Sequence, residues 1–123
     1  MIYTTYFAKL KSLPKNVIPI SVSAKTPEWY RGAKLKTLAP KYSFFSKWKE
    51  THDNDYYIRH YNAEVLAGLN PHRLVNALSL YLPDPSCHIA LVCYEKPGTF
   101  CHRHLIAKWL QNAGYPCEEF VYN

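Results

Sequence analysis

Six consecutive residues, His88 to Cys93, read HIALVC, with five apolar side chains in unbroken order. A strand with one wet face alternates apolar and polar residues, so an unbroken run demands cover on both faces, as parallel strands receive. Parallel strands need a crossover between them, usually a helix, and the chain supplies one at once. A turn, "YEKPGTF", is followed by a helical pattern that Thr99 is placed to cap. That helix runs to about Asn112, buries Leu105, Ile106, Trp109 and Leu110, and ends at Gly114. "YPCEEFVY" then returns as a last short strand, which completes a C-terminal βαβ unit.

The rest of the chain fits the same architecture. "IYTTYF" (Ile2 to Phe7) and "NVIPISVS" (Asn16 to Ser23) read as strands, the second with Ile18, Ile20 and Val22 on one face. Pro19 has no N–H to give a ladder, so that strand is expected at an edge or a bulge. Ala24 to Pro40 shows little periodicity, and long irregular connections of this kind often carry function. Pro40 is expected to open a helix through "KYSFFSKWKE", with Phe45 and Trp48 on one face. "THDNDY" supplies caps for a helix with Tyr57, Tyr61 and Val65 at four-residue spacing, ending near Gly68. Asn70-Pro71 reads as a cap and first helical residue, with Leu74, Leu78 and Tyr81 inward and "LPDPS" as the stop. The expected fold is a small three-layer α/β domain over residues 1–123, a mostly parallel short sheet flanked by helices.

Composition narrows the setting. The chain has 123 residues, enough for one core without staples. No apolar run approaches the roughly 20 residues of a membrane span, and "MIYTTYFAKLKSLPK" lacks the pattern of a signal segment. A cytoplasmic, membrane-free protein is expected, with Cys87, Cys93, Cys101 and Cys117 reduced. The net charge of +6 is uneven: residues 1 to 50 hold ten Lys/Arg against two acids, Glu28 and Glu50, and the remainder is slightly acidic. Nine aromatic residues share that basic segment. Such a segment suits phosphate contact with base stacking, and equally a solvated lysine face over an aromatic core.

Chemically capable side chains concentrate where the apolar strand meets the following helix. Ligands of open α/β sheets bind beyond the carboxyl ends of strands, at helix starts. Cys93 stands at the strand end, and Cys101, His102 and Arg103 fall in the first helical turn. Free N–H groups and the helix dipole favour an anion there, Arg103 offers a forked donor, and Lys96 offers a point charge. A thiol at a helix start has a lowered pKa, which makes Cys101 the better nucleophile of the two. His102 can serve it as a base or act as a general acid, and Glu95 is the nearby carboxylate. Each residue also has a plain reading: Cys93 and Cys101 as core packing, His102 and His104 as exposed or capping groups, and Glu95, Lys96 and Arg103 as a structural ion pair.

Sharper templates fail. A cysteine-phosphatase loop places five residues between Cys and Arg, whereas Cys101 has one and Cys93 nine. The zinc-deaminase pattern is absent, because Pro116-Cys117 is followed by Glu-Glu-Phe. No phosphate-binding glycine loop exists among four glycines. A zinc site from Cys93, Cys101, His102 and His104 is disfavoured, since no C-x-x-C knuckle occurs and side chains two apart on a helix diverge. No metal is expected, and the residues name no cofactor.

"CYEKPGTFCHRHLIAKWL" resembles the C-x-E-K-x-x-x-x-C-H-R signature of the domain of unknown function 488 family of bacterial and phage proteins. "YTTYFAKLKSLP", "PISVS" and "PEWYRG" resemble N-terminal segments of its small branch. The resemblance implies a compact α/β domain with a shared site at this turn, and places Ser21, Ser23, Trp29 and Tyr30 as its opposing wall. The expected function is binding of a phosphate-bearing ligand, a nucleotide or nucleic-acid end, at Cys93–Arg103, with Cys- or Glu-based chemistry open. A non-enzymatic nucleic-acid-binding accessory protein of phage or host-defence systems is the alternative. A third reading is an interaction module in which the cluster only fastens the last βαβ unit.

Overall fold

The computed structural model describes residues 1–123. Its centre is a five-stranded, wholly parallel sheet of β1 (Ile2–Tyr6), β2 (Val17–Ser21), β3 (Ala33–Lys34), β4 (His88–Cys93) and β5 (Cys117–Glu119). The strand order is β3-β2-β4-β1-β5, with HIALVC in the middle as its unbroken apolar run requires. Ile2 aligns with Ile89 on one side of β4, and Ile18 with the same residue on the other.

Helices α1 (Tyr42–Thr51), α2 (Asn54–Glu64), α3 (Pro71–Ser79) and α4 (His102–Asn112) all feed one core. Phe44, Tyr57, Tyr61, Leu74, Leu78, Ile106 and Leu110 meet Ile20, Val22, Ile89 and Leu91 there. The third layer is thin. On the reverse face, the 3₁₀ turn Phe7–Ser12 and Tyr30 pack on Val92, and Phe120 and Tyr122 reach Tyr3 and Thr5. No helix is long and apolar enough to cross a membrane.

The local signals act as the residues dictate in most places. Asn70 accepts from the amides of His72 and Arg73 with Pro71 in the first turn, and Asp53 caps α2 through the amide of Tyr56. Gly114 takes φ +95° after α4, a conformation glycine adopts without a Cβ clash.

Several expectations are corrected. Pro40 lies outside α1, because Lys41 is extended and the first helical bond runs from the Phe45 amide to Lys41. Thr99 does not cap α4: its amide closes the Pro-Gly turn onto the Lys96 carbonyl, and Cys101 takes the cap position. Tyr81 falls beyond the end of α3 and is 40% exposed. Leu105 and Trp109 pack only part-buried, while Arg103 and Ala107 are buried instead. β2 is not an edge strand, since β3 pairs with it at Ile20 and Ser21. The Val22 amide bonds to Val92, so by alternation the nitrogen of Pro19 faces away from β4, where β3 does not reach.

Candidate functional site

The carboxyl ends of β2 and β4, the turn after β4, and helix α1 enclose a cleft of about 360 Å³. Cys93, Cys101 and His102 lie together in it, with Ser23, Lys25 and Glu95 contributed by neighbouring loops. Its apolar walls are Phe45 and Trp48 from α1, Tyr57 from α2, and Phe100. These rings pack on one another: Trp48 lies 5.5 Å from Phe100 and 5.7 Å from Tyr57, centroid to centroid. Lys49, one helical turn from Phe45, adds a second cation.

Cys93 and Cys101 are joined as a disulfide, with Cα atoms 7.4 Å apart. This corrects the expectation of four reduced thiols: the strand end and the helix cap converge in space although eight residues separate them in sequence. Cys87 and Cys117 are free and buried. Burial, with Glu118 and Glu119 adding, raises the Cys117 thiol to about 11, a poor nucleophile outside the cleft lining.

His102 is held by its far nitrogen. Nε2 lies 2.7 Å from the Val22 carbonyl, which only accepts, so Nε2 carries the hydrogen and Nδ1 is bare in the neutral ring. Nδ1 stands 3.8 Å from Cys101 Sγ. Burial lowers the His102 pKa to about 4, with Arg103 and His104 adding to that shift and the Val22 contact opposing it. The ring is therefore neutral at physiological pH.

Arg103 is wholly buried and each of its three side-chain nitrogens is engaged. Nε and Nη2 bond the two carboxylate oxygens of Glu119 at 3.0 and 2.8 Å, and Nη1 donates to Cys93 Sγ at 3.0 Å and to the Glu95 carbonyl. Thr4 also donates to Glu119. The guanidinium is a fastening between β4, α4 and β5 rather than a free fork for an anion. Its charge lies against Cys93 rather than Cys101. The carboxylate partner is Glu119, not Glu95.

Of the remaining wall residues, Ser23 lines the cleft. Ser21 aligns with Val92 and so points to the reverse face, where Tyr30 packs on Val92 and donates to the Ala33 carbonyl. Trp29 is half-exposed against Phe7 on that side. Lys96 is exposed in the turn and outside the cleft lining.

A family model described as the active DUF488-N3 subclade, DUF488-N3a, matches residues 7–114. The chain belongs to the DUF488 family. No curated protein and no solved structure gives a significant match to this DUF488 chain.

Lys25, Lys49, Phe45 and Trp48 belong to the basic, aromatic segment that composition marks, but neither they nor Tyr57, Phe100 and Glu119 stand out individually in the sequence as site residues. Phe45 and Trp48 had a signal, their shared helical face, which reads equally as core. Glu119 carries none, because its role depends on the strand order.

Proposed function

We propose that this DUF488 protein binds a small, planar, phosphate-bearing molecule of the nucleotide class in the cleft above Cys93, Cys101 and His102. The observation that carries this reading is the composition of the cleft: stacked aromatic walls beside two lysines, Lys25 and Lys49, from separate elements. Aromatic faces accept bases without demanding a particular one, at about 1–3 kcal/mol per stack. The lysines supply charge for a phosphate in place of the engaged Arg103, and the first turn of α4 adds a helix start with no acidic residue.

Calorimetric titration with nucleoside monophosphates, free nucleosides and inorganic phosphate tests the reading. Monophosphates are expected to bind more tightly than either part. Trp48→Ala and a Lys25→Ala/Lys49→Ala variant should each weaken them roughly tenfold or more, within the range of a lost stack. Affinity unchanged in both variants, or no nucleotide binding by the parent, overturns it. Salt-sensitive binding of oligonucleotides that ignores Trp48→Ala would instead favour the accessory-protein reading.

A further inference from the structure

We propose that the reduced protein holds a zinc ion on Cys93, Cys101 and His102, with its fourth position open to the cleft. The two sulfurs and a nitrogen of His102 lie within 4.8 Å of one another. A tetrahedral ion with Zn–S about 2.3 Å and Zn–N about 2.0 Å places such ligands about 3.5–3.8 Å apart. Cleavage of the disulfide and rotation of the two cysteine side chains take one arrangement into the other.

Three further observations point the same way. His102 presents a bare Nδ1 on the side of Cys101 while Nε2 is fixed on the Val22 carbonyl. Metal-bound histidines are oriented by such a second hydrogen bond. Arg103 Nη1 donates to Cys93 Sγ at 3.0 Å, which fixes that sulfur at the end of the strand beside the cleft. The Cα atoms of Cys93 and Cys101 are 7.4 Å apart, beyond the ~4.4–6.8 Å that disulfides usually span. Two thiolates on one ion stand farther apart than two bonded sulfurs, and that separation suits them.

The ligand set, two Cys and one His, is one that catalytic zinc sites use, with water or substrate in the remaining place. All three side chains line the cleft, so that place faces whatever the cleft holds. The sequence argued against this site because its residues form no knuckle and helix neighbours diverge. The strand end supplies the third ligand, and Cys101, as the cap, is not bound by helical side-chain geometry.

Loading depends on redox state. A dithiol reductant exchanges with the Cys93–Cys101 disulfide, leaving two thiols here and a disulfide on the reductant. Zn²⁺ then displaces two protons, one from each thiol, and takes the electron pair of His102 Nδ1. This inference is independent of the cleft's organic ligand, because the metal is tested alone.

The test uses the full chain without a histidine tag, reduced and freed of reductant under anaerobic conditions, then titrated with Co²⁺ and with Zn²⁺ against a chromophoric chelator. One equivalent is expected to bind, with sulfur-to-cobalt charge-transfer absorption and the visible bands of a tetrahedral ion, displaced by Zn²⁺. The disulfide form should bind none. Cys101→Ser and His102→Ala should each weaken binding by more than the roughly 10–100-fold cost of losing an orienting contact. Circular dichroism establishes that each variant is folded. Absence of the cobalt–thiolate signal in the reduced parent overturns the proposal, and so does its full persistence in a Cys93→Ser/Cys101→Ser variant.

Discussion

Arg103 and Glu119 form a two-pronged ion pair in which the cation is wholly buried and the carboxylate keeps a quarter of its side chain exposed. The asymmetry sets the cost of breaking it. Glu119→Gln leaves a buried guanidinium without its counter-charge and should destabilise by about 3–5 kcal/mol. Arg103→Met removes the buried charge, leaves a carboxylate that water can reach, and should cost less. Urea unfolding of both variants and the double variant reads this order; equal costs that simply add would contradict the pairing.

Acid should weaken the fold before the carboxylates titrate. His102 has its pKa lowered from the ordinary 6.5 to about 4 by burial, so between these values the unfolded chain takes up a proton that the native chain refuses. Stability is complete above about pH 6.5 and falls as pH drops toward 4, by at most about 3 kcal/mol from this group. Burial lowers His104 too, in the same direction. Urea midpoints of the metal-free disulfide form, measured from pH 7 to 5, should decline; a flat or rising profile would contradict a buried neutral His102.

Alkylation should sort the four cysteines. Before reduction no thiol is expected to react quickly, since Cys87 and Cys117 are buried and Cys117 is raised to about 11. After reduction Cys93 and Cys101 should label ahead of Cys117, because they line the cleft whereas burial raises the Cys117 thiol. Mass spectrometry of timed quenches gives the order, and early labelling of Cys117 would refute it.

Tyr61 ties α2 to the segment before α1. Its hydroxyl donates to the Leu38 carbonyl inside the core, where both residues are fully buried. Tyr61→Phe strands that carbonyl and should cost about 1–3 kcal/mol in urea unfolding. A neutral substitution would mean that the carbonyl finds another donor.

The legible parts of this fold were those written in one short stretch of side chains. HIALVC announced a central parallel strand, Asn70-Pro71 a helix start, and the spacing of Tyr57, Tyr61 and Val65 a buried face. β3 was not legible, because two residues held by backbone pairing leave no periodic pattern. The meeting of Cys93, Cys101 and His102 in one cleft was legible along the chain, but the partners of this cluster were not. Arg103 meets a carboxylate sixteen residues away only because β5 pairs with β1. Trp29 and Tyr30 sit near Ser23 in sequence, yet Tyr30 and Ser23 lie on opposite faces of the sheet.

Pro19 has a consequence for how the molecule behaves in company. β3 covers only the last two residues of β2, so the first three present an open flank to any extended chain that drifts past. Along that flank Pro19 offers no hydrogen, and the amide of Val17 is already committed to the Pro14 carbonyl. At the other margin, β5 is only three residues long. Short or donor-poor borders of this kind give a visiting strand nothing to continue. A wholly parallel sheet with a central run as apolar as HIALVC thus has few free donors at either margin, and a single imino acid removes one where β3 stops.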